Sequence, residues 1–154
     1  MTSSEIRDTV WKDPTLVANF LQGVRGGLPY AADQLAIMMR VVAASGREVK
    51  RFLDLGSGAG TVAEVVLNAY PDAEATLVDF SPSMIDAARQ RLGTGERRHY
   101  ILADFGQPEW VQTVAGLAPF DLVVSGFAIH HQPDQRKREI YQEIFGLLAP
   151  GGWF

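Results

Sequence analysis

Three carboxylates, three glycines and two histidines carry the chemical signal of this chain. Asp54 stands two residues before Gly56 in the run Arg51-Phe-Leu-Asp-Leu-Gly-Ser-Gly-Ala-Gly-Thr-Val-Ala63, where Gly58 and Gly60 follow at every second position. Glycines so spaced let a ligand approach the backbone where a Cβ would collide. Asp79 and Asp104 follow downstream; carboxylates of this kind accept hydrogen bonds from hydroxyl, amine or ammonium groups. Farther on, Ser125-Gly-Phe-Ala-Ile-His-His131 offers His130 and His131, the residue type suited to taking a proton near neutral pH. The chain has no cysteine, which excludes disulfides, thiolate metal sites and a thiol nucleophile. No His/Asp/Glu cluster has metal-ligand spacing, so no metal is expected.

The glycine spacing admits two ligands. Gly58-Ala-Gly-Thr-Val-Ala63 fits the dinucleotide pattern G-x-G-x-x-G/A, with Asp79 as its acid, and so admits an NAD-dependent oxidoreductase. Asp54, however, would repel a pyrophosphate. It suits a ligand that carries an ammonium group and no phosphate, and S-adenosylmethionine is such a ligand. A bare turn would need neither three glycines nor two spaced carboxylates.

These residues need elements to hold them. Phe52, Leu53 and Leu55 read as a buried strand, and Val62, Val65, Val66 and Ala69 recur at helical spacing after the glycines. Further strands are expected at residues 75–79, 99–103 and 120–125, and a fifth from Trp153 after a turn at residues 149–152. Between them Ser81-Pro82 opens a helix whose inner face carries Met84, Ile85, Ala88 and Leu92. A short helix is expected at residues 108–115 and a long one at 134–148, with Ile140, Tyr141, Ile144, Phe145 and Leu148 inward. Arg136-Lys-Arg138 reads as a solvated charge run, and His99 as a structural mid-strand residue. Upstream, Asp13-Pro14 opens a helix that Gly26-Gly27 closes, and a second runs over residues 31–44 with Leu35, Met38, Met39 and Val42 buried. Alternating strands and helices predict an α/β, doubly wound, Rossmann-like and mostly parallel sheet of order 3-2-1-4-5. Residues 1–48 form an N-terminal helical flank and residues 49–154 the binding core. The glycine run, Asp79, Asp104 and the histidine loop then each fall at the carboxyl end of a strand, where such sheets bind ligands.

The glycine run resembles motif I of the class I S-adenosylmethionine-dependent methyltransferases. The resemblance continues through Asp79, Asp104, residues 120–131 and residues 147–154, about the last two-thirds of the chain. It implies a cofactor site of Asp54, Gly56, Ser57, Gly58, Gly60, Asp79, Phe80, Met84, Asp104, Phe105, Ser125 and Tyr30. In that family the acid at the Asp79 position holds the ribose, Phe80 and Met84 pack on the adenine, and the acid at Asp104 accepts from the adenine amine beside the Phe105 N–H. Leu28-Pro29-Tyr30, with Arg25 before it, is similar to the Pro-Gly-Tyr element of the carboxy-S-adenosylmethionine synthase-like enzymes, where a tyrosine reaches over the cofactor. The loop after the fourth strand resembles the small-molecule branch, which carries a histidine here, and lacks an Asn-Pro-Pro-Tyr-like amine clamp. It implies Phe127 and Ile129 as an apolar wall and His130 or His131 as base or orienting group. The family continues to strands six and seven, so the chain reads as stopping short at its C-terminus. A cofactor-binding fragment without activity is the remaining alternative.

Composition narrows the partners. Over 154 residues, 47% are hydrophobic and 21% charged, and the net charge is −4, with no basic footprint for nucleic acid. No apolar run reaches spanning length and no signal peptide is visible, so a cytoplasmic protein with no membrane partner is expected; the small-molecule acceptor is what the resemblance implies. Self-association through the uncovered sheet edge is expected as well.

Overall fold

The structure is a computed structural model and describes residues 30–154. The expected helix opened by Asp13-Pro14, and Leu28-Pro29 with Arg25, lie outside the described residues. The second helix, α1 (Ala31–Ala44), is present and buries Val42, with Leu35, Met38 and Met39 packed beside it.

β1 (Arg51–Leu55) is the middle strand of five, flanked by β2 (Glu74–Asp79) and β4 (Phe120–Val124). Outside these lie β3 (Arg98–Leu102) and β5 (Leu148–Trp153), giving the order β3-β2-β1-β4-β5 with every pairing parallel. Connecting helices are α2 (Thr61–Ala69), α3 (Pro82–Leu92), α4 (Trp110–Val114) and α5 (Asp134–Leu147).

Successive strand residues point to opposite faces, and that alternation builds two cores. Phe52, Ala75, Leu77, Leu122 and Val124 pack against α1, α2 and α3. Leu53, Leu55, Val78 and Val123 pack against Trp110 of α4 and Ile140, Ile144 and Leu147 of α5. By the same alternation Asp54 shares the α2 face with Phe52, and Asp79 shares it with Ala75 and Leu77. The sequence dictates α3 locally: Ser81 is its N-cap, accepting a hydrogen bond from the Met84 N–H, and Pro82 holds the first position.

Three expectations change. The fifth strand begins at Leu148, not Trp153. Phe120 pairs with Leu148 and Leu122 with Trp153, so residues 149–152 form a bulge inside the strand. The bulge is held by the Arg47 guanidinium, which donates to the Pro150 carbonyl at 2.8 Å, and Gly151 takes a φ of 71° there. On α5, Tyr141 and Phe145 point outward. The buried stripe is Arg136, Ile140, Ile144 and Leu147, and each of the two aromatics lies one residue, about 100°, round from it. Arg136 is thus buried rather than solvated. Among the described residues no helix is long and apolar enough to cross a membrane.

Candidate active site

The glycine turn is pinned from below before any ligand is considered. The Gly56 and Ser57 N–H groups both donate to the Val78 carbonyl, at 2.8 and 3.0 Å, tying the turn after β1 to β2. Gly56, Gly58 and Gly60 all have positive φ, at 70°, 52° and 77°. Their surroundings differ. A Cβ on Gly56 would overlap the Ala128 Cβ of the loop after β4, and would meet the Phe105 ring at 3.2 Å. A Cβ on Gly60 would meet Leu92, Ala88 and Leu77 within 3.4 Å. At Gly58 only the Met84 sulfur comes within 4 Å, at 3.9 Å. The first and third glycines therefore serve packing within the protein, and Gly58 leaves its backbone open to a ligand.

Each carboxylate has a distinct place. Asp54 is 0% exposed, and one of its carboxylate oxygens accepts from the Ala63 N–H at 3.1 Å, the third residue of α2. It caps the helix from inside the fold and compensates the positive end of the helix dipole. Sequence reasoning set this acid beside a ligand; in the structure one of its oxygens is engaged by the head of α2. Asp79 ends β2 and spans the turn: Oδ2 accepts from Gly58 N–H at 2.8 Å and Oδ1 from Ser81 N–H at 2.9 Å. Burial pushes its carboxyl above the ordinary value, against the opposing pull of the Ser81, Gly58 and Phe80 N–H groups. Asp104 is exposed two residues past β3, with Oδ1 accepting from the Gly106 N–H at 2.8 Å.

The other candidates fall around them. Met84 is buried beside Ala59, under the turn, and Phe80 is half-buried at the end of β2. Phe105 is buried, its ring against Gly56. The Ser125 hydroxyl donates to the Leu55 carbonyl at 2.7 Å and so joins the ends of β4 and β1. The histidines stand in a short 3-10 turn, Ile129–His131, both exposed, with ring centroids 3.8 Å apart. Phe127 sets its ring edge-on to His130 at 6.5 Å and holds a φ of 58°, strained for a residue with a side chain. Ile129 does not join Phe127 as a wall. It is buried among Leu53, Leu55 and Ile140, because that side of the 3-10 turn faces the sheet. Tyr30 is exposed at the start of α1, its carbonyl accepting from the Gln34 N–H. His99 pairs with Glu74 at 2.7 Å on β3 and β2, a structural position.

Sequence reasoning missed Arg136. Its guanidinium donates to the Phe105 carbonyl through Nε at 3.1 Å and Nη2 at 2.9 Å, and to both Glu143 oxygens at 2.8 and 2.7 Å. The signal was available: Arg136 stands four residues before Ile140 and eight before Ile144, on the buried stripe. The Glu143 hydrogen bonds hold the guanidinium still more firmly protonated.

The donor set limits the ligand. The turn, at residues 56–60, contains no lysine or arginine to meet a pyrophosphate. The anion site at the head of α2 is already answered by Asp54. Asp79 and Asp104 offer acceptors to hydroxyls and an amine, and Gly58 offers room. These residues fit a nucleoside that carries no phosphate.

Comparison with known proteins agrees with that limit. The model of the methyltransferase domain family matches residues 53–154. The malonyl-[acyl-carrier protein] O-methyltransferase 1 of Ilyobacter polytropus is 24% identical over 136 residues, covering 87% of this chain and 48% of that protein. The trans-aconitate 2-methyltransferase of Methylobacterium radiotolerans is 35% identical over 100 residues, 65% of this chain and 34% of its own length. The chain spans about half the length, or less, of these curated relatives. Human N-acetylserotonin methyltransferase, in a crystal structure with SAM, superposes with a TM-score of 0.71 over 99% of this chain and 40% of that one; at 19% identity the likeness is one of fold.

Proposed function

This chain belongs to the methyltransferase domain family, and on that premise we propose that it binds S-adenosylmethionine beyond the carboxyl ends of β1, β2 and β3 and transfers the methyl group to a small-molecule acceptor. The observation that carries the reading is the Asp79–Gly58 pairing beside the open face of Gly58. When bound, the cofactor supplies a methyl group on a positively charged sulfur. Everything else is asked of the chain. Asp79 has lone pairs beyond those given to Gly58 and Ser81, and accepts the two ribose hydroxyls. Asp104 accepts from the adenine amine. Phe80 and Met84 bound the ring, and Ser57 and Gly58 line the turn. Asp54 acts indirectly: by capping α2 it keeps the turn in shape and removes the attraction for a pyrophosphate.

On the acceptor side, Phe127 supplies an apolar surface. His130 or His131 takes a proton from an attacking hydroxyl or acidic carbon or orients it, while in-line positioning does most of the work of transfer. The relatives' names give malonyl-[acyl-carrier protein] and trans-aconitate as their acceptors. A small acceptor with an ionisable oxygen suits the site, and the net charge of −4 disfavours nucleic acid. The NAD-dependent alternative draws no support from the family match. Self-association through the β5 edge belongs to the same proposal. Calorimetry and thermal shift with S-adenosylhomocysteine and NADH test it: the former should bind and raise the melting temperature. Binding of NADH alone would reverse the assignment.

A further inference from the structure

The inward stripe of α5 opens with a charge where an aliphatic residue would fill the space without desolvating a guanidinium. Arg136 is only 8% exposed, and its hydrogen bonds converge on the turn after β3. Nε and Nη2 both donate to the Phe105 carbonyl, and the rest of the fork is held by Glu143, with Glu139 at 3.1 Å from Nη1. Glu143 is itself anchored, since its Oε2 accepts from the Trp110 indole N–H at 2.7 Å, and Trp110 is fully buried at the start of α4. The Phe105 carbonyl belongs to the same peptide plane as the Gly106 N–H. That N–H donates to Asp104 Oδ1 at 2.8 Å. Fixing the carbonyl therefore fixes the plane, and the plane fixes the carboxylate of an otherwise exposed acid. Two directed bonds to one carbonyl are what the guanidinium adds over a lysine.

We propose that Arg136 is a positioning residue: through the Phe105 carbonyl it orients the Asp104–Gly106 turn so that Asp104 reads the amine edge of the cofactor's purine. The proposal rests on the S-adenosylmethionine reading of the site. Arg136 touches neither cofactor nor acceptor; it sets base selectivity from behind.

The test compares S-adenosylhomocysteine with S-inosylhomocysteine, in which a carbonyl replaces the purine amine. Isothermal titration of the wild-type protein should show a preference for the former of about tenfold, the scale of one hydrogen bond to a charged acceptor. Arg136→Lys should bind S-adenosylhomocysteine more weakly and lose most of that preference. A role in the fold alone would lower the melting temperature and leave the ratio unchanged, and an unchanged ratio overturns the proposal. The double variant Arg136→Met/Glu143→Gln removes both charges together and gives the same reading if the lysine variant does not fold; failure of both to fold would make the network a requirement of the fold and overturn the positioning role. Wild-type protein that binds neither ligand would bring down the cofactor reading, and this proposal with it. Equal wild-type binding of the two would leave the cofactor reading standing and overturn the proposal alone.

Discussion

Asp79 Oδ2 accepts a hydrogen bond from the Gly58 N–H at 2.8 Å, so the acid at the end of β2 grips the middle glycine of the turn after β1. The two residues most central to the proposed cofactor site thus hold one another in place. Asp79 is a structural group that the proposed site also uses as a ligand group, and its substitution should separate these roles.

Asp79→Asn removes a charged acceptor from the ribose and from Gly58. S-adenosylhomocysteine should bind about ten- to a hundredfold more weakly, the equivalent of 1.5–3 kcal/mol. Titration calorimetry on the folded variant measures this, and unchanged affinity would take Asp79 out of the cofactor site.

The raised pKa of Asp79 gives a second signature. Between the ordinary carboxyl value of 3.8 and the raised folded value, the native state holds a proton that the unfolded chain has released. The contribution of Asp79 to stability is therefore fully present below that window and is lost as pH rises through it. Ligand affinity should move the other way, because the protonated carboxyl is a poorer acceptor for ribose hydroxyls. Denaturation and ligand titrations across this range should diverge in wild type, and Asp79→Asn should flatten both.

The glycines should fail in different ways. Gly58→Ala places a methyl group in open space at a φ of 52°, so it should cost about 1–2 kcal/mol of stability yet abolish cofactor binding. Gly60→Ala drives a methyl into Leu92 and Ala88, and should destabilise the fold more than Gly58→Ala does. Urea titrations rank the stabilities, and equal loss of binding and stability at Gly58 would contradict the open face.

Replacing His130 and His131 together by Asn should leave S-adenosylhomocysteine affinity unchanged and slow methyl transfer by about a hundredfold or more if one of them is the base. The assay uses labelled cofactor with small carboxylic acids and phenols, and in parallel with tRNA and peptides. Transfer confined to the macromolecules would overturn the acceptor class. Undiminished transfer to small molecules would keep the class and remove the histidines from the mechanism.

Tyr141 of α5 and Phe154, just past β5, pack with ring centroids 5.9 Å apart, and Phe145, at 80%, and Trp153 are exposed as well. Concentration-dependent light scattering should show association, and Phe145→Lys should weaken it. A monomer at high concentration would contradict the expected edge contact.

Local rules carried most of what was legible in the sequence. Alternation of apolar runs with helical periods predicted the doubly wound sheet and its order, because strand and helix periods are properties of neighbouring residues. The Ser81-Pro82 helix start and the three glycines belong to the same class: one cap and one turn, each complete within a few residues. What the tertiary structure decided were relationships across the sheet. That an Asp54 oxygen meets the head of α2 depends on which face its strand turns toward the helix. Which glycine is open depends on Ala128, Leu92 and Met84, all distant in sequence. Ile129 became core because the 3-10 turn lies against β1. Arg136 read as one member of a basic run, and the distant Phe105 carbonyl, with Glu143 two turns along α5 held by Trp110, made its burial tolerable, since a guanidinium leaves water only where several fixed acceptors meet it.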